Sequence, residues 1–309
     1  MAELKPGRII EWHRLSPSLS LFRLVAADGA RFPSYEAGQY IALRREHCKL
    51  TQIEEDADGR LHAAAQIENG RQKLGPVTHP YSIASPPFEA AEQNRLEFFV
   101  VLERDAGGTP GRLSSSLFDM EITGDRTLDY FHRVSGTFTL SQRAQRAESV
   151  LMIGTGTGIA PFISMIKQLD HDAAMGKVQE GRVTLIYANR RPEELAYHDD
   201  LLKIESEQRF DFVYLPSVSR PDEADRGNPR MGRGRASNIL RYVLEMPVQN
   251  GERDTATVPA LPGHLCRDAL QRRFDPTNTV ILTCGNPLAV ADIKRVGEAR
   301  GIRVETEDW

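Results

Sequence analysis

Cysteine is scarce in this sequence: Cys48, Cys266 and Cys284 are the three among 309 residues, and they lie far apart. They form no zinc-binding pattern, and an iron–sulfur cluster needs four ligands. The eight histidines show no ligand spacing either. The sequence therefore predicts no metal site. Because widely separated thiols are typical of a reducing compartment, we expect a cytoplasmic protein.

Long apolar runs are also missing, and the N-terminal MAELKPGRII lacks the basic-then-apolar layout of a signal peptide. The formal net charge of −4 argues against nucleic acid as a partner. Neither a Ser–His–Asp set nor an HExxH helix is visible, so hydrolase chemistry has no residues to carry it. We expect a protein that binds neither a membrane nor nucleic acid.

A glycine-rich stretch at 150–169, VLMIGTGTGIAPFISMIKQL, is the strongest local feature. A short apolar strand leads into Gly154, Gly156 and Gly158, after which a proline opens a helical pattern. Glycines let the backbone approach a ligand, and a helix N-terminus offers free N–H groups and a partial positive charge. Ile159 stands where the dinucleotide fingerprint G-x-G-x-x-G has its third glycine. We interpret the turn as a phosphate site; the alternative is a tight connection without a ligand.

The first part of the chain is rich in strand and turn signals and has no long helical pattern, which favours an antiparallel barrel or sandwich. Strands are predicted at 8–13, 19–26, 39–44, 96–102 and 136–140, with a hairpin at 50–66 around Asp58-Gly59. A second glycine turn at 107–111 precedes a short helical pattern at 113–120. That pattern is either a second phosphate site or a capped surface helix.

From residue 150 onward, strands alternate with helices, which indicates a parallel sheet with helices on both faces. The predicted strands are 150–153, 183–188, 212–215, 279–283 and 302–306, and helices are predicted after Pro161 and at 193–202, 238–244, 263–273 and 288–300. We therefore predict two domains, an antiparallel β-barrel at 1–145 and a doubly wound α/β domain with a five-stranded parallel sheet at 146–309.

Basic side chains follow two of the predicted parallel strands, at the end where such sheets bind ligands. Arg190 follows the second strand, where an NAD site usually has a carboxylate and where a basic residue suits a 2′-phosphate. Ser219 and Arg220 follow the third strand, and an arginine-rich loop comes next, with Arg226, Arg230, Arg233 and Arg235. These arginines are either phosphate ligands or a solvated basic loop. Cys284, at the end of the fourth strand, is either a small buried side chain or a working group.

Taken in order, nine short motifs resemble the ferredoxin–NADP(+) reductase family, and most closely its bacterial flavodoxin/ferredoxin reductase branch. They are PYSIASP at 80–86, GRLSSSLFDM at 111–120, GTFTL at 136–140, GTGTGIAPF at 154–162, LAY at 195–197, VSR at 218–220, GR at 234–235, CGNP at 284–287 and a terminal aromatic. The resemblance covers nearly the whole chain. It implies a barrel that binds FAD, followed by an α/β domain that binds NADP(H).

The resemblance also implies the site residues. For FAD they are His79, Tyr81, Ser82, Ile83, Phe99, Val100, Arg112, Leu113, Ser114 and Ser115, with Thr137 where the two domains join along the chain. For NADP(H) they are Thr157, Gly158, Arg190, Ser219, Arg220, Arg235 and Gly285. Ser82 and Cys284 match residues beside the reacting rings, and Trp309 matches a terminal aromatic that stacks on the flavin and has to move aside for nicotinamide.

Three departures from the family pattern stand out. His79 occupies the position of an arginine that contacts the FAD pyrophosphate, so we expect weaker or pH-dependent FAD binding, or an arginine supplied from elsewhere. The stretch 45–78 is longer than is typical of the branch, and the loop at 221–231 is extended. Because of that loop, Arg233 is an alternative to Arg235.

The function implied is hydride transfer between NADPH and FAD, with single electrons passing to or from a separate ferredoxin or flavodoxin. Such carriers are acidic, and candidate residues for a basic docking surface are Arg44, Arg45, Lys49, Arg71 and Lys73, although a solvated face is equally open. One alternative is the reductase component of an oxygenase, or a flavin or quinone reductase. Another is a nucleotide-binding sensor or scaffold that lost FAD at His79.

Overall fold

The computed structural model describes residues 2–55, 59, 61–105, 107–177, 181–249 and 258–307. The chain forms two compact units that divide between Gly136 and Thr137, with residues 36–38 belonging to the second unit. Unit 1 contains antiparallel sheets and unit 2 a parallel sheet, which confirms the predicted order of the two fold classes.

Unit 1 is built from strands whose side chains alternate between the core and the surface. In chain order its elements are β1 (Leu4–Lys5), β2 (Gly7–Ser16), β3 (Leu19–Ala26), β4 (Tyr40–Lys49), β5 (Thr51–Glu55), β6 (Leu61–Ala65), β7 (Ile67–Glu68), β8 (Arg71–Gln72), β9 (Leu74–Ser82), α1 (Pro87–Gln93), β10 (Leu96–Val101), α2 (Arg112–Phe118), α3 (Met120–Thr123) and β11 (Asp129–Ser135). Phe22 of β3 and Phe98 of β10 are buried, and their ring centroids lie 5.1 Å apart. These stacked rings form the centre of the unit 1 core.

Two antiparallel sheets of unit 1 join into a barrel-like structure. One has the order β1–β11–β4–β9 and the other β10–β3–β2. At one seam Arg8 bridges Thr127, and at the other the Ala84 N–H donates to the Glu97 carbonyl at 2.9 Å. Because both seams are bridged, edge groups that would otherwise be exposed are paired. The predicted antiparallel barrel is therefore confirmed.

A double hairpin, residues 51–72, extends from the end of the β4–β9 ladder. It consists of the antiparallel pairs β5–β6 and β7–β8. The first pair is the predicted hairpin at 50–66, although Asp58 of its predicted turn lies outside the described residues. At the base, the Leu50 N–H donates to the Lys73 carbonyl at 2.9 Å, and Gln72 Nε2 donates to the Leu50 carbonyl at 2.7 Å. The double hairpin thus supplies its own hydrogen bonds where it leaves the barrel.

Unit 2 alternates strands and helices. Its elements are α4 (Leu140–Arg143), β12 (Ser149–Thr155), α5 (Ala160–Ala174), β13 (Arg182–Asn189), α6 (His198–Glu207), β14 (Phe212–Val218), α7 (Glu223–Gly227), β15 (Gly232–Arg233), α8 (Ala236–Val243), α9 (Arg267–Arg273), β16 (Thr279–Cys284), α10 (Pro287–Ala299) and β17 (Arg303–Thr306). Single 3₁₀ turns, Gly156–Ile159 and Pro192–Glu194, follow β12 and β13.

The sheet of unit 2 is parallel and has the strand order β15–β14–β13–β12–β16–β17. Leu151 and Ile153 pack in one core with α8, α9 and α10, while the intervening Met152 is also fully buried. Burial on both faces explains why residues 150–153 of β12 are all apolar. The five predicted strands are all present, but the predicted count of five is wrong, because β15 adds a sixth strand within the described residues. Two residues are too short to give a sequence pattern.

The strand predicted at residues 136–140 is wrong. These residues form no strand: β11 ends at Ser135, Gly136 has a φ of 104°, and α4 begins at Leu140. A left-handed glycine ends the extended run, and Phe138 is buried against Phe162, with ring centroids 5.7 Å apart. The alternating pattern therefore came from one anchored aromatic side chain and not from a ladder.

The helix predicted at 193–202 begins later, at His198. The Glu194 carbonyl accepts hydrogen bonds from the Tyr187 hydroxyl and from Asn189 Nδ2, so side chains of β13 occupy the acceptor that a continuous helix would use. Tyr197 then adopts a left-handed φ of 63°. The helix predicted at 263–273 likewise begins only at Arg267.

None of the helices among the described residues has the length and apolar character needed to cross a membrane.

Candidate functional site

The strand order of unit 2 creates a crevice between β12 and β16. The chain moves outward from β12 through β13 and β14 to β15, and then returns to the other side of β12 as β16 and β17. Parallel sheets bind ligands where the strand order reverses, outside the carboxyl ends of the two central strands. The predicted glycine turn follows β12, and Cys284 ends β16, so both predicted segments lie at this crevice.

The glycine turn connects β12 to α5. Gly156 has a φ of 57°, a left-handed conformation that glycine adopts without steric cost. One 3₁₀ turn follows, and α5 begins at Ala160 with Pro161 in its first turn. The first N–H groups of a helix have no partner within the helix, so this turn offers donors and a partial positive charge to an anion.

The glycine turn interlocks with the turn that follows β16. A methyl group at Gly158 would overlap the Cys284 carbonyl and lie 2.5 Å from Gly285 Cα. Gly285, at a φ of 129°, packs equally closely on Thr155, and the Asn286 N–H donates to Thr155 Oγ1 at 3.0 Å. This contact alone requires glycine at both positions. The glycines therefore indicate a fixed turn geometry first, and a ligand only through the helix N-terminus beside it.

A second helix, α10, also begins at this crevice, directly after Asn286. The Asn286 side-chain oxygen accepts hydrogen bonds from the Leu288 and Ala289 N–H groups at 3.1 and 3.3 Å, and α10 begins at Pro287. The N-termini of α5 and α10 thus both lie at the carboxyl ends of β12 and β16, which strengthens the positive potential there.

Cys284 is buried and has a carboxylate partner. Its Sγ donates to Glu307 Oε2 at 2.9 Å. Burial, and then the charge of Glu307 and this hydrogen bond, hold the pKa of the thiol well above its ordinary value, so the thiol stays protonated and uncharged. Sequence analysis missed Glu307, because a carboxylate near the end of a chain has no distinguishing local pattern. Trp309 lies outside the described residues.

Three further predicted residues lie side by side at the ends of β13 and β14. Beyond the paired strands, the Ser219 N–H donates to the Asn189 carbonyl and the Arg220 N–H to the Arg190 carbonyl, both at 2.9 Å. Arg235 follows β15 and is the residue directly before α8. The structure therefore brings Arg190, Ser219, Arg220 and Arg235 to one edge of the sheet.

The guanidinium groups at this edge are available for an anion. Arg190, Arg220 and Arg235 are exposed, and no ion pair joins any of them to a carboxylate of the described residues. By contrast, Arg241 of the same unit holds both oxygens of Asp292 at 2.7 Å. Unpaired arginine forks beside a serine are suited to phosphate.

In unit 1, Tyr81 and Ser82 end β9, where they pair with Ile41 and Tyr40 of β4. Ser82 is buried, Tyr81 is half-buried, and burial raises the pKa of the Tyr81 phenol. His79 lies two residues earlier in the same strand and is exposed. The tyrosine therefore offers a partly open ring with a neutral hydroxyl, next to a serine hydroxyl.

The second predicted glycine turn leads into α2, which packs against β4 and β9. Gly111 precedes the helix and Arg112, its first residue, is exposed. The Ser114 and Ser115 hydroxyls donate to the Gly111 and Arg112 carbonyls, both at 3.2 Å. Because these hydroxyl protons are used locally, the donors left for an anion are the first-turn N–H groups and the Arg112 guanidinium.

Several predicted FAD residues have side chains in the barrel core. Ile83, Val100 and Leu113 are at most 1% exposed and belong to the unit 1 core. Phe99, next to Val100, points to the opposite face of β10. The core residues can therefore contact a ligand only through their backbone, whereas Phe99 is also buried, at 4% exposed, but lies outside that core cluster.

Thr137 is held by one arginine. Arg143 donates to the Thr137 carbonyl at 3.1 Å, to its hydroxyl at 2.8 Å, and to Glu305 of β17 at 3.0 Å. The segment that begins unit 2 is thereby tied to the last strand of the same unit.

Comparison with known proteins agrees with this geometry. The family described as the oxidoreductase NAD-binding domain matches residues 152–294. The ferredoxin–NADP reductase of Pseudomonas aeruginosa is 24% identical over 98% of this chain and 93% of its own length, and that of Azotobacter vinelandii is 25% identical over 86% and 87%. Over most of its length, the chain is similar in sequence to these ferredoxin–NADP reductases.

Solved structures share the fold of this chain. A ferredoxin NADP+ reductase from Neisseria gonorrhoeae with bound FAD and NADP superposes with a TM-score of 0.64 at 20% identity and covers 99% of each chain. The ferredoxin reductase in carbazole 1,9a-dioxygenase superposes with a TM-score of 0.59 at 14% identity, over 99% of this chain and 69% of that one. These similarities leave the roles of individual site residues as predictions.

The basic residues suggested for carrier docking are mostly paired. Four have carboxylate partners: Arg44 with Glu46, Arg45 with Asp125, Lys49 with Asp119 and Lys73 with Glu68. Arg45 is itself buried. A set of charges that is neutralised within the chain makes a weak electrostatic surface, so these residues give little support for a docking site.

We expect Cys284 to react with thiol reagents much more slowly than Cys266. In the folded protein at pH 8, a maleimide should modify exposed Cys266 at least about 100-fold faster than Cys284, because the thiolate is the nucleophile and burial suppresses it. Peptide mass spectrometry after timed labelling measures the two rates. Equal rates would show that Cys284 is accessible, and denatured protein provides the control in which both thiols react.

Proposed function

We propose that this chain is an FAD-dependent oxidoreductase that passes a hydride between NADPH and FAD and exchanges single electrons with a separate ferredoxin or flavodoxin. Residues 1–145 bind FAD and residues 146–309 bind NADP(H) in this proposal. A bound flavin supplies the conversion between two-electron and one-electron steps, so the chain needs no general base of its own. Its three free cysteines fit a reducing compartment, and we place the enzyme in the cytoplasm.

The observation that carries the proposal is the crevice of unit 2. Two helix N-termini and the interlocked turns at Gly158 and Gly285 lie on the same sheet edge as the unpaired Arg190 and Arg220. A dinucleotide with a 2′-phosphate needs donors for its pyrophosphate and a cation for its extra phosphate. The donor set of this edge fits both requirements.

Residues of unit 2 would bind and orient the nucleotide. The amides around Thr157 and Gly158 would hold the pyrophosphate, and Ser219, Arg220 and Arg235 would hold the 2′-phosphate. Cys284 would border the nicotinamide as a small, uncharged side chain. Its raised pKa favours that role and argues against a nucleophile.

Residues of unit 1 would bind the flavin. The half-buried ring of Tyr81 can lie against a flat ring, and the Ser82 hydroxyl can form a hydrogen bond with the edge of that ring. Arg112 and the first-turn amides of α2 would hold the FAD pyrophosphate. The exposed guanidinium of Arg112 offers the charged fork that the position of His79 lacks. Trp309 keeps its predicted role as the stacking aromatic.

A visible spectrum tests the proposal directly. We expect the purified protein to be yellow, with the absorbance of bound flavin, and to bleach on anaerobic addition of NADPH. A colourless protein that cannot take up FAD would instead support the nucleotide-binding sensor or scaffold. A yellow protein that NADPH leaves unchanged would contradict the nucleotide half of the proposal.

Substitution of the edge arginines should change nucleotide preference. Arg220→Ala or Arg235→Ala should each lower kcat/KM for NADPH about 10-fold or more, with little change for NADH, since each removes one charge-assisted contact with the 2′-phosphate. Arg226→Ala, an exposed position on α7, is the control. A loss with Arg233→Ala and none with Arg235→Ala would move the contact to Arg233. No loss with any of them would contradict the phosphate assignment.

The identity of the electron acceptor is the part of the proposal for which an alternative function has specific support. The fold is shared with the ferredoxin reductase in carbazole 1,9a-dioxygenase, and the suggested carrier-docking residues are neutralised. Both observations favour the reductase component of an oxygenase as the second candidate. Reduction rates with a ferredoxin, a flavodoxin, an oxygenase component and a free quinone, each under saturating NADPH, separate these functions.

A further inference from the structure

The loop at the end of β13, residues 189–194, is closed on itself by hydrogen bonds. Asn189 Nδ2 donates to the Glu194 carbonyl at 2.6 Å, and the buried Tyr187 hydroxyl donates to the same oxygen at 3.3 Å. The Glu194 N–H in turn donates to the Arg191 carbonyl at 3.2 Å. Both backbone groups of Glu194 are therefore used to hold this loop, which we call the β13 loop.

The Glu194 side chain is also used within the β13 loop. Glu194 is 7% exposed, and no other aspartate or glutamate among the described residues is buried as deeply. Its Oε2 accepts a hydrogen bond from the Arg190 N–H at 3.2 Å, and the same N–H also donates to Asn189 Oδ1 at 3.2 Å. Burial of a carboxylate is costly unless the carboxylate is hydrogen-bonded, and here the backbone amide of Arg190 supplies a bond.

One hydrogen bond connects Arg190 to the segment that follows the neighbouring strand, β14. The Arg190 carbonyl accepts the Arg220 N–H at 2.9 Å, so a displacement of Arg190 also displaces Arg220. Both arginines lie at the edge proposed for the nucleotide phosphate. A guanidinium fork recognises phosphate only in a restricted geometry, so the backbone position from which each fork extends matters.

We propose that Glu194 is a positioning residue for nucleotide recognition: its carboxylate fixes the backbone of Arg190 and, through it, that of Arg220, and so sets the preference for a 2′-phosphorylated nucleotide. This inference rests on the proposed function. The negative charge of Glu194 would by itself weaken binding of a nearby phosphate. The contribution of Glu194 to phosphate binding is therefore geometric.

Two variants separate geometry from charge. Glu194→Gln and Glu194→Ala both remove the charge, but only glutamine keeps an oxygen that can accept the Arg190 N–H. Glu193→Ala removes an exposed carboxylate from the adjacent position and is the matched control. For the full-length flavoprotein, isothermal titration calorimetry with 2′,5′-ADP and with 5′-AMP gives the ratio of the two affinities, and steady-state kinetics give kcat and KM for NADPH.

We expect the affinity ratio of Glu194→Ala to fall about 10-fold or more below that of Glu194→Gln, with KM for NADPH raised and kcat kept. Glu194→Gln should equal or exceed the wild type, and Glu193→Ala should match it. Equal ratios for Glu194→Ala and Glu194→Gln would overturn the inference, and so would an equal loss of both ligands in Glu194→Ala. A wild-type protein without preference for 2′,5′-ADP would instead contradict the proposed NADP(H) function.

Discussion

Gly158→Ala is expected to lower kcat/KM for NADPH by at least about 100-fold, since misplacement of a binding turn by about 1 Å costs on this order. The added methyl group would overlap the Cys284 carbonyl, which is backbone and cannot rotate away. The turns after β12 and β16 would have to separate, and the N–H groups of α5 would move with the first of them. Overpacking of this kind should also lower the free energy of unfolding by about 3 kcal/mol. Steady-state kinetics and urea unfolding measure the two effects.

Gly176→Ala is the matched control for this prediction. Gly176 follows α5, has a φ of 81°, and has open space where a methyl group would extend. It should cost only the strain of a left-handed alanine, about 1 kcal/mol, and leave the kinetics with NADPH unchanged. If Gly158→Ala bound NADPH normally, the crevice between β12 and β16 would not be the nucleotide site.

The second large effect is expected on stability, from Asp292→Asn at the contact between α8 and α10. Arg241 is buried and donates to both oxygens of Asp292 at 2.7 Å. Asparagine would leave that buried guanidinium without a counter-charge, which costs about 3 kcal/mol. For a unit of this size, the thermal midpoint should fall by about 6–12 °C. Thermal unfolding followed by circular dichroism is the measurement.

The dependence on pH identifies the cause of the loss. Hydrogen bonding from Arg241 holds the pKa of the Asp292 carboxyl below its ordinary value, against the opposing effect of burial. A lowered pKa means that the stabilisation is present above about pH 4 and is lost as the pH falls further. The difference between wild type and variant should therefore be constant from pH 5 to 8 and shrink in acid.

Glu298→Gln on the same helix is the comparison for Asp292→Asn. Glu298 pairs with Lys294 at 3.9 Å, and both side chains are at least half exposed. Exposed pairs contribute little, so we expect a change within about 0.5 kcal/mol. Similar losses in the two variants would contradict the view that burial of Arg241 sets the cost.

The parts of the fold that could be predicted are those with strong local chemistry. Residues 150–153 of β12 are all apolar because both faces of the sheet are buried, and β3 follows the alternation of a strand with one buried face. The glycine turn after β12 was recognisable because Gly156 and Gly158 each meet a backbone requirement that only glycine satisfies. Because such positions allow only glycine, they can be recognised in the sequence.

The parts that could not be predicted depend on contacts between distant segments. The contact between Cys284 and Glu307 joins residues 23 positions apart. The late start of α6 depends on side chains of β13 that bond to the Glu194 carbonyl. Likewise, sequence alone could not show that Arg45 and Lys73 are neutralised while Arg220 is not. Each outcome is decided by which partner the fold brings near.

The base of the double hairpin has a consequence for how such chains can diverge. The β4–β9 ladder pairs Cys48 with Gly75 and Lys49 with Leu74 just before the double hairpin. The next residues along the ladder, Leu50 and Lys73, are joined by a backbone hydrogen bond. The segment between those anchors can become longer or shorter, or change in sequence, without a register shift in the barrel. This part of the chain is therefore free to evolve new surface properties while Tyr81 and Ser82, farther along β9, keep their places.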